Sequence, residues 1–263
     1  MLSFHIRHEV RPERVKEVFV LIANDQPFNH VIQAERQLTY LRQIRLIENS
    51  ELSAVGNFVH TLCVAKADLW GDLVHFIQYT LWQEGRPEEN GFSWTYRNLS
   101  DHLWRLGVAQ KINYSFFEPI VSALINQAET SSYFEVEQTR KAAVSLSRDS
   151  LRAGYHWLGE LVPPVIENDT FTRRYFCPPE LTLLAIGWVA QQTEGELGID
   201  FLLTPERREM LCKLCLLDPA ALDRVLDRTL PLYPNVLVPG TSAGVYGRFI
   251  RFLKWPEMSD LLR

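Results

Sequence analysis

The sequence predicts a mainly α-helical protein of the α+β type, and three observations support that prediction. Apolar residues recur at spacings of three and four over most of the 263 residues, which is the period of an amphipathic helix. Several of these stretches begin with proline or a capping residue and end at a polar turn. Strand-like segments are short, and the clearest two flank a glycine-rich turn near the C-terminus, which indicates a hairpin.

The composition is typical of a globular chain. Apolar residues make up 46% and charged residues 22% of the sequence. The formal net charge of −5 argues against a uniformly basic nucleic-acid-binding surface, although it is compatible with a local basic face. No apolar run approaches the 18 or so residues of a membrane span, and charges interrupt the N-terminal segment. We therefore expect no signal peptide, no membrane partner and a cytoplasmic location.

Residues 1–85 are predicted to form an N-terminal unit that includes a long helix. RPERVKEVFVLIAND opens this unit with Pro12 in the first turn of a helix. A second helical region extends from about Phe28 to Glu48, as one bent helix or two short ones. The segment NSEL is a turn, and SAVGNFV begins a strand or another helix. TLCVAKADLWGDLVHFIQYTLWQE then predicts one long amphipathic helix or a pair.

The stretch YLRQIRLIENSELSAVG carries a charged helix into a polar turn and a short strand-like segment. Over about residues 12–60 this order resembles the winged helix-turn-helix superfamily, although Arg45 stands where many such domains have a glycine that ends the helix. The resemblance implies a helix that enters the DNA major groove and a wing that reaches the flanking backbone. The candidate contact residues here are Arg36, Gln37, Thr39, Tyr40, Arg42, Gln43, Arg45 and Asn49.

Residues 86–170 are predicted to form a helical middle domain. The polar segment GRPEENG marks its beginning. Three helices follow, within FSWTYRNLSDHLWRLG, SFFEPIVSALINQAET and KAAVSLSRDSLRAGYHWLGELV, and Ser93 is the expected N-cap of the first. A double proline ends the helical region. The many aromatic residues are expected to be large core residues, with base stacking as the alternative.

Residues 171–263 are predicted to form a second winged-helix-like unit. A helix in PPELTLLAIGWVAQQ is followed by two more, which are capped by Thr204 and Asp218. The strands VLV and VYGRFIRF then surround a glycine-rich turn. Three helices and a hairpin thus repeat the order expected at the N-terminus.

Basic residues in and after the last strand form a second candidate surface for nucleic acid: Arg248, Arg251 and Lys254. Because strand side chains alternate between faces, Arg248 and Arg251 both face solvent only on a bulged or an edge strand. On the preceding helix, Arg224 and Arg228 lie beside two aspartates, at positions 223 and 227. That arrangement favours ion pairs within the helix over contacts with DNA.

No motif in the sequence predicts a cofactor, a metal ion or a catalytic residue. Cys212 and Cys215 form one CxxC, but no second pair completes a zinc site, and their spacing is typical of two buried helical residues. GTSAGVYG lacks the GK[ST] ending of a phosphate-binding loop and precedes a strand. Asp149 and His156 are two helical turns apart, about 10 Å, which is too far for a direct hydrogen bond.

The sequence therefore predicts a non-catalytic DNA-associated or assembly subunit of a prokaryotic DNA-processing, regulatory or defence complex. Its expected partners are duplex DNA and other proteins. One alternative is a protein-interaction adaptor that uses the same fold without touching nucleic acid, because a fold does not determine a function. Another is an enzyme whose site is assembled from residues far apart in the sequence.

Overall fold

The computed structural model describes residues 2–7, 10–82, 87–107, 109–130, 144–241 and 247–262. Parts of three predicted features lie outside these ranges. They are the boundary segment 85–91, the start of the third predicted helix of the middle domain before residue 144, and the glycine-rich turn at 242–246. The prediction of a mainly α-helical chain is confirmed. Within the described ranges, no helix combines the length and the apolar character needed to cross a lipid bilayer.

The chain divides into two compact units, Met1–Phe171 and Thr172–Arg263. The division falls beside the predicted boundary at residue 171. The predicted boundary at residue 85 lies within the first unit, where helices from both sides of it pack together.

The N-terminal unit is built mainly from helices. Those described are α1 (Pro12–Ala23), α2 (Ala34–Gln43), α3 (Ala54–Ala65), α4 (Leu69–Thr80), α5 (Pro87–Arg105), α6 (Phe117–Thr130) and α7 (Arg148–Leu158). Its strands have two residues each: β1 (Leu2–Ser3), β2 (Ile47–Glu48), β3 (Glu51–Leu52), β4 (Gln110–Lys111), β5 (Val144–Ser145), β6 (Ile166–Glu167) and β7 (Thr170–Phe171). β1 pairs in parallel with β5, β2 pairs antiparallel with β3, and β4, β7 and β6 form an antiparallel sheet in that order.

The order of elements near the N-terminus differs from the prediction. Gln33 has a φ of +59°, which is not a helical conformation, and residues 29–32 form turns and a bend before α2 begins. Two helices therefore precede the β2–β3 hairpin, and the expectation of three was wrong. SAVGNFV belongs to α3, and the long amphipathic segment is a pair of helices, α3 and α4. Ser93 lies inside α5, three residues after a kink at Asn90, so the prediction that it caps the helix was wrong. Its hydroxyl donates to the carbonyl of Gln78 at 2.5 Å.

Helix α2 ends in a Schellman arrangement. The N–H of Arg45 donates to the carbonyl of Arg42 at 3.0 Å, and the N–H of Leu46 donates to that of Leu41 at 2.9 Å. Arg45 has a φ of +60°, so an arginine adopts the left-handed conformation that glycine usually supplies at this position. The helix thus ends at Gln43, before the predicted limit near Glu48, and it does so without a glycine at position 45.

The β2–β3 hairpin and the start of α3 follow directly. Asn49 and Ser50 have φ values of 49° and 76°, as in the type I′ turn of a two-residue hairpin loop. Ser53 caps α3, because its Oγ accepts the N–H of Gly56 at 3.0 Å. A Cβ on Gly56 would lie 2.0 Å from the carbonyl oxygen of Leu46. Glycine is therefore required where the first turn of α3 approaches the end of the α2 segment.

Gly56→Ala is expected to lower the free energy of unfolding by about 3 kcal/mol or more, because the added methyl group meets a backbone atom that cannot rotate away. Urea denaturation of the full chain measures the change. Gly159→Ala is the matched control, since its nearest contact is 3.2 Å, and we expect it to shift stability by less than about 1 kcal/mol. Equal effects of the two substitutions would contradict the close approach.

The core of the N-terminal unit combines aromatic packing with buried hydrogen bonds. The Tyr40 ring of α2 stacks on the Trp157 ring of α7 with centroids 5.2 Å apart. The Tyr40 hydroxyl donates to Oε1 of Gln78 on α4 at 2.6 Å, so its phenol has a partner within the core. His75 of α4 and the hydroxyl of Tyr96 on α5 are also hydrogen bonded, at 2.8 Å. Side chains of α2, α4, α5 and α7 thus share one interior.

The C-terminal unit contains three α-helices and a small antiparallel sheet in its described part. The elements are α8 (Pro179–Gln192), β8 (Asp200–Leu202), α9 (Pro205–Leu214), α10 (Leu222–Thr229), β9 (Leu237–Thr241) and β10 (Arg248–Phe252). The strand order is β8-β10-β9, so β10 lies in the centre. The predicted helices and the closing hairpin are confirmed, as is the Thr204 cap, which accepts the N–H of Arg207. The sequence analysis missed β8.

Candidate nucleic-acid interface

The predicted contact residues on α2 divide into exposed and buried side chains. Arg36 and Arg42 are exposed, whereas Gln37 and Tyr40 are 0% and 1% exposed. The assignment of Gln37 and Tyr40 to a solvent face was wrong. These two side chains are buried because α2 packs against α1 and also inserts Tyr40 between α4 and α7. More than one side of the helix is therefore covered.

The other candidates around α2 make local contacts. The Thr39 hydroxyl donates to the carbonyl of Glu35 at 2.8 Å, and Gln43 is half-buried. Arg42 donates to the hydroxyl of Ser50 at 3.4 Å, which links α2 to the hairpin turn. Arg45 and Asn49 are exposed, and both occupy left-handed backbone positions that shape the turn. Of the eight predicted contact residues around α2, four are therefore exposed, two are half-buried and two are buried.

Gln37→Met is expected to raise the free energy of unfolding by about 1–2 kcal/mol. Neither polar atom of the buried Gln37 amide has a hydrogen-bond partner among the described residues, and methionine keeps a similar shape. Chemical denaturation checks this change. Gln43→Met on the same helix is the control, with an expected shift within about 0.5 kcal/mol. A loss of stability in Gln37→Met would show that this amide has a structural role.

Arg248 reaches from β10 to α10. One guanidinium nitrogen lies 2.5 Å from Oδ1 of Asp227, and the other lies 3.8 Å from Oδ1 of Asp223. Because β10 is the central strand and has no bulge in its pairing, Arg248 and Arg251 point to opposite faces, as alternation predicts. Arg248 avoids burial because it begins the strand, and its side chain is 22% exposed. The bulged or edge strand considered from the sequence is not observed.

The other two predicted cations of this region are also paired. Arg251 donates through Nε to Oδ1 of Asp200 at 2.8 Å, across the neighbouring strands β10 and β8. The ammonium of Lys254 forms an ion pair with Asp260. All three cations predicted near the last strand therefore have carboxylate partners within the C-terminal unit, which reduces the positive field they present to solvent.

Two exposed arginines of the C-terminal unit lie on helix α10. Arg224 and Arg228 are exposed, and neither has a hydrogen bond or an ion pair within the described part of the chain. Asp223 instead binds Arg208 of α9 at 2.7 Å, in addition to its approach to Arg248. Hydrogen bonding to Arg208 holds the pKa of Asp223 below its usual value.

The expectation of ion pairs within α10 was therefore wrong. Both aspartates have partners on other elements, and this leaves Arg224 and Arg228 free. The charge pattern contains a signal that could have indicated this result. The two aspartates are four residues apart, and so are the two arginines, so each i, i+4 row of α10 carries like charges instead of an ion pair.

The cysteines of the C-terminal unit lie in its interior. Cys212 and Cys215 are buried, as the core interpretation of the CxxC predicts, and Cys177 is buried beside them. Burial raises the pKa of the Cys212 thiol to about 12. A hydrogen bond with Cys177 and then burial raise the pKa of Cys215. Among the described residues, no group of three or more His, Cys, Asp or Glu side chains is arranged to hold a metal ion.

Comparisons with known proteins do not establish a family for this chain. No family model and no solved structure matches it. The chain is similar to a probable outer membrane protein, PmpI, of Chlamydia trachomatis serovar D, with 29% identity over 147 residues. The match covers 52% of this chain but 16% of that protein. At this identity and coverage, the similarity establishes neither a shared family nor a shared activity.

Proposed function

We propose that residues 172–263 form a winged helix-turn-helix unit that binds duplex DNA through α10. In this proposal the protein is a non-catalytic, DNA-associated subunit of a prokaryotic DNA-processing, regulatory or defence complex. The topology supports the winged-helix assignment. Strand β8, which follows α8, pairs with the last strand, β10. Helices α9 and α10 precede the β9–β10 hairpin.

The observation that carries the proposal is the pair of free arginines on α10. A guanidinium group binds a phosphate or the edge of guanine through two parallel hydrogen bonds, and Arg224 and Arg228 lie one turn apart on the exposed side. The helix has 8 residues, so it is about 12 Å long, close to the width of the major groove. The proposed contacts are therefore these two residues, in place of Arg248, Arg251 and Lys254.

The surrounding ion pairs favour an anionic partner at this helix. Arg208 and Arg248 neutralise the carboxylates of Asp223 and Asp227, which would otherwise repel phosphates. The unit as a whole has as many acidic as basic side chains, so long-range attraction to DNA is small. We therefore expect modest affinity with a weak salt dependence. Two phosphate contacts give a slope of about −1.8 for log K against log salt.

Arg224→Gln combined with Arg228→Gln is expected to weaken binding of the full chain to a duplex of about 20 base pairs by roughly tenfold or more. Fluorescence anisotropy at a series of salt concentrations measures this change, together with a salt slope that approaches zero. The melting temperature should stay nearly constant, because both side chains are exposed and unpaired.

Lys111→Gln with Arg152→Gln provides the matched control. It removes the same charge from two exposed positions in the N-terminal unit. This variant should bind DNA as the unmodified chain does. Equal losses in the two double variants would mean that binding reflects net charge alone and would overturn the role of α10. Absence of binding at about 20 mM salt would refute DNA recognition altogether.

A protein-interaction adaptor is the second candidate, and a specific observation favours it. Large apolar side chains are exposed on the C-terminal unit, with 61% exposure for Tyr175, 56% for Ile199 and 53% for Leu253. Aromatic residues such as Tyr175 are enriched at protein interfaces relative to the rest of the surface. An adaptor would fail to bind DNA at low salt, which separates it from the first candidate in the same experiment.

A further inference from the structure

A cavity of about 230 Å³ lies between α1, α3 and α4, wholly within the N-terminal unit. Its walls are mainly apolar and include Phe19, Val64 and Trp70. The Phe19 and Trp70 rings are in contact, with centroids 5.0 Å apart. Val64 is 74% exposed, so the cavity opens to solvent along α3. Small-molecule sites are mostly apolar with a few polar groups, and this cavity has that character although it is smaller than the usual range of about 300–1,000 Å³.

Two hydrogen-bond donors of the cavity lining have no acceptor in the described chain. Trp70 is 2% exposed, and its indole Nε1 is a buried donor without a partner. A buried N–H without an acceptor carries an energetic cost. Lys16 is half-buried, and its ammonium has no hydrogen bond or ion pair among the described residues. The ammonium of Lys16, which lines the cavity, favours an anionic ligand.

The charge of Lys16 influences the pKa values of two neighbouring side chains, Cys63 and Glu160. Burial raises the pKa of the Cys63 thiol, which lines the same cavity, to about 11, and Lys16 opposes part of that rise. Burial and then Glu13 raise the pKa of Glu160, and Lys16 lowers it. Lys16 lines the cavity and also influences the pKa of a half-buried carboxyl group, although it forms no ion pair with it among the described residues. An incoming carboxylate competes with Glu160 for Lys16, so we expect moderate affinity.

We infer that the cavity binds a small organic carboxylate with an apolar, preferably aromatic, body. The body packs between Phe19, Val64 and Trp70, and the carboxylate meets the ammonium of Lys16. A volume of 230 Å³ equals about eight water molecules, which suits a ligand of roughly ten to twelve non-hydrogen atoms. A neutral ligand of the same shape gains the apolar contacts but loses the charge interaction.

The test compares 4-phenylbutyrate with its neutral analogue 4-phenylbutanamide, which has the same number of non-hydrogen atoms. Saturation-transfer NMR with the full chain measures both affinities. We expect a Kd below about 1 mM for the acid and a value at least fivefold higher for the amide, since a charged hydrogen bond is roughly twice as strong as a neutral one. Equal binding of acid and amide, or no binding of the acid, would overturn the inference.

Cys63 supplies a second readout, because it is half-buried in the cavity wall whereas Cys177, Cys212 and Cys215 are buried. Saturating 4-phenylbutyrate should slow N-ethylmaleimide modification of Cys63 at least threefold, as followed by mass spectrometry. An unchanged rate at saturation would place the acid elsewhere and contradict the assignment.

Substitutions test the contribution of the Lys16 charge and that of the cavity volume independently. Lys16→Met should remove the preference for acid over amide while amide binding persists, and Ala67→Trp, which fills the cavity, should abolish both. Lys111→Met removes an exposed charge elsewhere in the unit and should change neither affinity. A preference that survives Lys16→Met would refute the role of the ammonium. None of these measurements uses nucleic acid, so their outcomes are independent of the DNA-binding proposal.

Discussion

The ion pairs that Arg248 forms with Asp223 and Asp227 determine what helix α10 presents to solvent. They connect the central strand of the C-terminal sheet to the helix and, with Arg208, neutralise both aspartates. Partly exposed pairs of this kind stabilise a fold by at most about 1 kcal/mol each. Their main consequence is electrostatic: without them, the acidic and basic side chains of α10 would cancel, and Arg224 and Arg228 would not form a net positive surface.

The N-terminal unit shows how similar sequence features lead to a different structure. Its helix α2 is also followed by a hairpin, but Tyr40 stacks on Trp157 and is hydrogen bonded to Gln78, so much of the helix lies in the interior. Polar residues on a helix therefore do not identify a binding face when a second layer of helices covers them. The likeness in element order does not extend to the exposed side chains, and the nucleic-acid proposal rests on the C-terminal unit.

Local signals predicted much of the fold, and long-range contacts decided most of the site. Thr204 caps α9 and Pro12 begins α1 as expected, because caps and first-turn prolines act within a few residues. Strand β8 has three residues and is defined by its pairing with β10, about fifty residues later, which no local pattern reveals. The same reason explains the partners of Arg248 and the burial of Gln37. The cavity of the N-terminal unit also depends on contacts among three separate helices.

The pKa of the Asp223 carboxyl group, measured by ¹³C-detected NMR titration, tests the central ion-pair arrangement most directly. We expect a value below the ordinary range in the unmodified chain, which rises in Arg208→Gln and in Arg248→Gln. Since the folded-state pKa is lowered, these pairs contribute stability at neutral pH that is lost as the pH falls through that value. Arg224→Gln should change the pKa much less. A rise in Arg224→Gln as large as that in Arg208→Gln would show that α10 pairs its own charges, and it would contradict the availability of its arginines.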